Sequence, residues 1–119
     1  MIDGRNGKYC ADDNVNRVRC NRTKIGPWEN FKLNRIQDNI YSITGGRTGK
    51  YCADDNDNQM RCNRTKIRPW EKFELTRIQD NKYAIKGGRT GKWCADEGNR
   101  ITCNRTKIGP WEKFTFKLL

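Results

Sequence analysis

The chain has no histidine, a single serine (Ser42), three prolines and two methionines in 119 residues. Without histidine there is no imidazole for acid–base catalysis and no Ser-His or Cys-His nucleophile pair. The six cysteines never fall in a Cys-x-x-Cys spacing, so the usual zinc pattern is missing. No apolar run approaches the length of a membrane span. Met1-Ile2-Asp3-Gly4 does not open a signal peptide. Apolar residues make up only 34%, with a mean hydropathy of −1.09, so any core must be lean. No stretch of useful length carries a helical period. Together these absences predict an all-β protein with no enzymatic activity, no cofactor and no metal.

What is present is one phrase written three times. It reads Gly-Arg-x-Gly-Lys-(Tyr/Trp)-Cys-Ala-Asp, a polar turn, then Cys-Asn-Arg-Thr-Lys-Ile-x-Pro-Trp-Glu-x-Phe, over residues 4–31, 46–73 and 88–114. Tyr9, Tyr51 and Trp93 recur every 42 residues. A fixed period of this size is the mark of a repeat architecture. Each copy carries about four short alternating segments, as in Lys8 to Ala11, Val18 to Asn21, Trp28 to Ile36 and Ile40 to Ile43. A propeller needs four or more blades. Three copies of four strands instead fit a closed threefold body, a six-stranded barrel capped by three hairpins, because closure removes sheet edges. The reading is a single β-trefoil domain over 1–119, with repeats at about 1–39, 40–81 and 82–119. The opening strand is largely missing from the first copy and absent after the last, so the two ends should meet.

The pattern Gly-x-Tyr-x-Ala-(Asp/Glu), hairpin, Asn-Arg, Trp-Glu-x-Phe-x-(Leu/Val) resembles the fascin-type β-trefoil repeat, and does so across the whole chain. The resemblance implies a module that binds an acidic protein polymer such as actin. The net charge of +11 and pI near 9.7 favour acidic partners of any kind. Twelve cations stand at the same phase in all copies: Arg5, Arg47 and Arg89; Lys8, Lys50 and Lys92; Arg22, Arg64 and Arg105; Lys24, Lys66 and Lys107. Core packing does not require them, so they are the expected ligand-binding residues. An acidic glycan bound by a trivalent lectin-like protein is the alternative, and a structural subunit of a larger assembly is a third reading. Nucleic acid is not expected, because the aromatics needed for base stacking are assigned to the core.

Pairing Ala11 with Val18 across the first hairpin puts Tyr9 opposite Cys20 and turns Cys10 outward beside Arg19. On that register the six cysteines are reduced thiols, with Cys20, Cys62 and Cys103 in the core and Cys10, Cys52 and Cys94 nearer the surface. A reduced state and no leader predict a cytoplasmic protein. A slip of one residue would bring the cysteines face to face. The acidic pairs Asp12/Asp13, Asp54/Asp55 and Asp96/Glu97 suit hairpin turns, with Asp12, Asp54 and Asp96 placed to cap loop amides. The sequons at Asn21, Asn63 and Asn104 are read as side chains bonding loop backbone. Trp28, Trp70 and Trp111 are expected to pack at the barrel base, the alternative being platforms for sugar stacking.

Overall fold

The computed structural model describes residues 2–116. Twelve strands occur in chain order: β1 (Ile2–Asp3), β2 (Tyr9–Asp13), β3 (Arg17–Arg22), β4 (Lys32–Gln37), β5 (Ile40–Thr44), β6 (Tyr51–Asp54), β7 (Met60–Arg64), β8 (Phe73–Gln79), β9 (Lys82–Lys86), β10 (Trp93–Asp96), β11 (Ile101–Arg105) and β12 (Phe114–Phe116). Single 3₁₀ turns, η1 (Pro27–Glu29), η2 (Pro69–Glu71) and η3 (Pro110–Glu112), lead into β4, β8 and β12. Proline suits the first position of such a turn, where no amide proton is needed. Leu118 and Leu119, with which the third copy ends, lie outside the described residues.

The barrel ladder runs β4–β5–β8–β9–β12–β1, antiparallel at each step. The hairpins β2–β3, β6–β7 and β10–β11 form the cap, where β3, β7 and β11 meet one another. This is the expected twelve-stranded β-trefoil. The two ends do meet: Ile2 pairs with Phe116 and Asp3 with Thr115. The core gathers Ile2, Val18, Ile43, Met60, Phe73, Leu75, Ile85, Ile101 and Phe114, with all six cysteines among them. Phe31 and Leu33 pack against it from the side, as the alternation of that strand predicts.

The hairpin register departs from expectation by one residue. Cys10 faces Cys20, Ala11 faces Arg19 and Asp12 faces Val18, with a bulge between Tyr9 and Cys10. The expected pairing needed a long polar tip. The chain instead carries β2 on to Asp13, pairs it with Arg17, and turns through Asn14, Val15 and Asn16, the last at φ 60°. Asparagine tolerates this left-handed backbone. Copies two and three make the same choice, with Cys52 opposite Cys62 and Cys94 opposite Cys103.

That slip overturns the cysteine reading. Disulfides join Cys10 to Cys20, Cys52 to Cys62 and Cys94 to Cys103, and no described cysteine is free. Cys10, Cys52 and Cys94 are fully buried rather than near the surface. With all three pairs oxidised, the reduced cytoplasmic state is corrected as well, since such bonds persist in oxidising surroundings.

Candidate functional site

Each copy clasps the next through a buried carboxylate. Asp12 and Asp54 sit at the ends of β2 and β6 with 1% and 0% of their surface exposed. Asp12 Oδ2 accepts the amides of Arg47 at 3.2 Å and Thr48 at 3.0 Å. The Thr48 hydroxyl stands 3.0 Å from the same oxygen and 2.9 Å from the Cys62 carbonyl oxygen. Asp54 repeats this with Arg89 and Thr90. Asp96 accepts the Arg5 amide at 2.8 Å and the Gly98 amide at 2.9 Å. The loop-capping role read from the sequence is therefore real, and it acts between copies. Burial raises the Asp54 carboxyl above its usual range, although the Thr90 and Arg89 amides and the Arg89 charge pull it down. The loop must come close: a Cβ on Gly45 would lie 2.2 Å from Asp12 Oδ2 and 2.7 Å from the Cys62 Cβ.

The same loops deliver Arg5, Arg47 and Arg89 to the tryptophans of the preceding copy. Their guanidinium carbons stand 4.2 Å from the Trp111 ring centre, 5.8 Å from Trp28 and 5.8 Å from Trp70, respectively. This is cation–π geometry. Arg89 also donates to the Asp55 carbonyl at 3.0 Å and to Asn58 Oδ1 at 2.6 Å.

Arg22, Arg64 and Arg105 turn inward instead. Arg22 lies 2.8 Å from Asp13 and 3.7 Å from Glu29. Arg64 lies 3.0 Å from Asp55 and 3.6 Å from Glu71, and Arg105 lies 2.6 Å from Glu97 and 3.7 Å from Glu112. Each arginine thus ties a hairpin tip to the 3₁₀ turn of its own copy. Burial alone would raise the Asp13 and Glu97 carboxyls. Hydrogen bonds from Arg19 and Arg22 bring Asp13 below its usual value, and those from Arg105 and Arg100 take Glu97 down to about 2. The sequon asparagines serve this arrangement: Asn21, Asn63 and Asn104 accept a hydrogen bond from the adjacent arginine side chain, not from loop backbone.

Glu29, Glu71 and Glu112 carry no role in the sequence reading, yet all three are buried. Their Oε1 atoms accept the amides of Gly26, Arg68 and Gly109 at 2.5, 2.8 and 2.6 Å. The signal was present as the invariant Trp-Glu after each proline. A carboxylate three residues after a turn entry is placed to bond back to it.

The tryptophans are not core. Trp70 is 37% exposed and Trp111 45%, while Trp28 is half-buried. The chain places its smaller phenylalanines inward and leaves these indoles at the rim. Beside Trp70 lies an open groove of about 540 Å³, bounded by Arg64, Thr65, Lys66, Arg68 and Glu71. Of the twelve cations, the structure brings only Arg64 and Lys66 into this groove. Lys8, Lys24, Lys50, Lys66, Lys92 and Lys107 are all exposed. No cluster of His, Cys, Asp and Glu among the described residues is placed to hold a metal ion.

No protein-family model matches the chain, and no curated protein matches it in sequence. Solved structures do match in fold. ThreeFoil, a designed threefold-symmetric protein, aligns at a TM-score of 0.84 with 15% identity, covering 96% of this chain and 94% of its own. SeviL bound to the asialo-GM1 saccharide aligns at 0.79 with 15% identity, covering 99% and 95%. The exo-β-1,3-galactanase 1,3Gal43A of Clostridium thermocellum aligns at 0.80 with 13% identity, and this chain covers 29% of it. These likenesses carry the β-trefoil fold. The fascin-type expectation of an acidic polymer such as actin is corrected on this ground: of these structures, SeviL is bound to a saccharide and 1,3Gal43A is a galactanase. Of the twelve cations expected to bind the ligand, Arg22, Arg64 and Arg105 are paired with carboxylates of their own copies, while the six lysines stand exposed.

Proposed function

We propose that this chain is a non-enzymatic saccharide-binding module with a tryptophan platform in each copy. The observation that carries the reading is the exposed Trp70 at the wall of the 540 Å³ groove. A sugar ring has an apolar C–H face and a polar rim. An indole face takes the first, and convergent polar groups take the second. Thr65, Lys66 and Arg68 are the convergent groups here. Arg89 packs against the indole, and the Arg64–Glu71 pair stiffens the groove floor, so little side-chain freedom is lost on binding. SeviL and 1,3Gal43A, which share the fold, are described with a saccharide and as a galactanase. Three copies of the platform would give multivalent binding to clustered glycans, where effective concentration multiplies weak single-site affinity.

Glycan-array binding, followed by calorimetry on the best ligand, tests the proposal. Trp70→Ala is expected to weaken binding about tenfold, an aromatic contact of about 1.4 kcal/mol. The triple variant at Trp28, Trp70 and Trp111 should abolish it. A folded triple variant that still binds at wild-type affinity would sink the proposal.

A further inference from the structure

The copies differ in charge where the barrel strands reach the Gly-Arg-x-Gly-Lys loops, with Lys32, Glu74 and Thr115 at one position of the repeat. At the first junction a second groove, of about 400 Å³, is lined by Lys32, Asn34, Lys50, Tyr51, Arg64 and Thr65. Arg64 and Thr65 also line the Trp70 groove, so the two grooves share a wall. No carboxylate lines the second groove. Arg64 is already neutralised by Asp55 and Glu71. Lys32 and Lys50 are exposed, and among the described residues their side chains hold no ion pair.

The equivalent position at the second junction is occupied differently. Lys32 on β4 faces Thr44 on β5, whereas Glu74 on β8 faces Lys86 on β9. Glu74 Oε2 lies 3.5 Å from Lys86 Nζ. That ammonium also sits 4.8 Å from the ring of Trp93, which replaces Tyr51. The protein's own carboxylate therefore fills the place where a ligand anion would sit. At the closing junction Thr115 faces the buried acid Asp3. Among the described residues, only the first junction offers two uncommitted ammonium groups, neutral hydrogen-bonding side chains from Asn34 and Thr65, and no acid.

We propose that the Lys32–Lys50 groove is an anion subsite, found at the first junction alone, for a sulfate or carboxylate borne by a saccharide. The neighbouring sugar ring of that ligand lies in the Trp70 groove, and this half of the inference rests on the saccharide reading above. Lysine is a compact charge with rotatable donors, suited to an oxyanion on an exposed surface. The threefold repeat is thus broken in its chemistry, with one copy reading ligand charge and its second counterpart satisfied internally.

Amide chemical shifts of nitrogen-15-labelled protein, titrated at low salt, test this with a neutral galactose tetrasaccharide, its 6-O-sulfated counterpart and sodium sulfate. Sulfate alone should move Gly49, Lys50 and Thr65. The sulfated sugar should move those and residues 66–71, and bind about fivefold tighter than the neutral sugar, a gain that fades as salt screens it. Lys32→Glu should erase the gain and leave neutral binding intact. Glu74→Lys should create a sulfate response around Gly91 and Lys92. Equal affinity for the two sugars, or a gain that survives Lys32→Glu, overturns the subsite while sparing the Trp70 reading. A Lys32-dependent sulfate response without neutral binding removes the Trp70 reading and keeps the subsite. Silence to all three probes overturns both.

Discussion

The junction from copy one to copy two and the junction that returns copy three to copy one use nearly the same letters, yet they are held differently. At the first, Asp12 receives two amides, and the Thr48 hydroxyl is wedged between that carboxylate and the Cys62 carbonyl. At the closing one, Asn6 stands in place of threonine, and Asp96 takes one amide from Arg5 and one from its own hairpin tip. The loops also differ in length. Gly45 bonds back to Lys50, whereas Gly4 fills the same place against Asp96 and bonds to Lys8, one residue sooner. The shorter loop draws Arg5 to 4.2 Å from Trp111, against 5.8 Å at the other two junctions. A buried carboxylate must find donors. Backbone amides supply the minimum, and a side chain adds to them where loop length permits.

The largest test of this contrast removes the carboxylates. Asp12→Ala strands two amides, takes one partner from the Thr48 hydroxyl and should cost roughly 3 kcal/mol, while Asp96→Ala strands two amides and should cost roughly 2 kcal/mol. Denaturant unfolding measures both, and equal losses would dissolve the distinction between junctions. Thr48→Val isolates the hydroxyl and should cost about 1 kcal/mol. Asn6→Ala should change stability by less than about 0.5 kcal/mol, since Asn6 is exposed. Acid titration of thermal stability probes a smaller effect. Glu97, beside the closing junction, is held at about 2 against an ordinary 4.5. Its folded value is depressed, so it contributes stability above the ordinary value and loses that contribution as pH falls from 4.5 towards 2. Asp13 and Asp55 are also lowered and act in the same direction. Asp54 is raised and acts the other way, favouring the fold as it takes up its proton. Glu97→Gln should flatten the acid limb; an unchanged slope would show that its arginine bonds carry no weight in solution.

Much of the fold was legible in the chain. The 42-residue period gave three units, the alternation gave the strands, and the phase of Phe73, Leu75 and Phe114 gave the core face. The amide-capping role of Asp12, Asp54 and Asp96 was legible too, but not that each caps a loop of another copy, since those loops lie 35 residues or more away in the chain. The site was less so. Twelve invariant cations look alike in one dimension, but Arg22, Arg64 and Arg105 are fixed to buried acids, Arg5, Arg47 and Arg89 lie on indoles, and the lysines stand in solvent. The tryptophans misled because hydrophobic size predicts burial on average, while their positions at a proline turn put them at the rim.

The sequence by itself determined the repeat, the strand segments, the all-β class and the aspartates that cap loop amides, because periodicity and residue chemistry are properties of the line of letters; that those aspartates tie one copy to the next came from the tertiary structure. Only the tertiary structure decided the hairpin register, and with it the three disulfides. Alternation has a period of two and is blind to a slip of one, and it was the left-handed turn at Asn16 that settled which cysteines meet. The same holds for the grooves: Lys32 and Glu74 occupy one position in the repeat, and only their cross-strand partners, Thr44 and Lys86, show that one is free and the other spent.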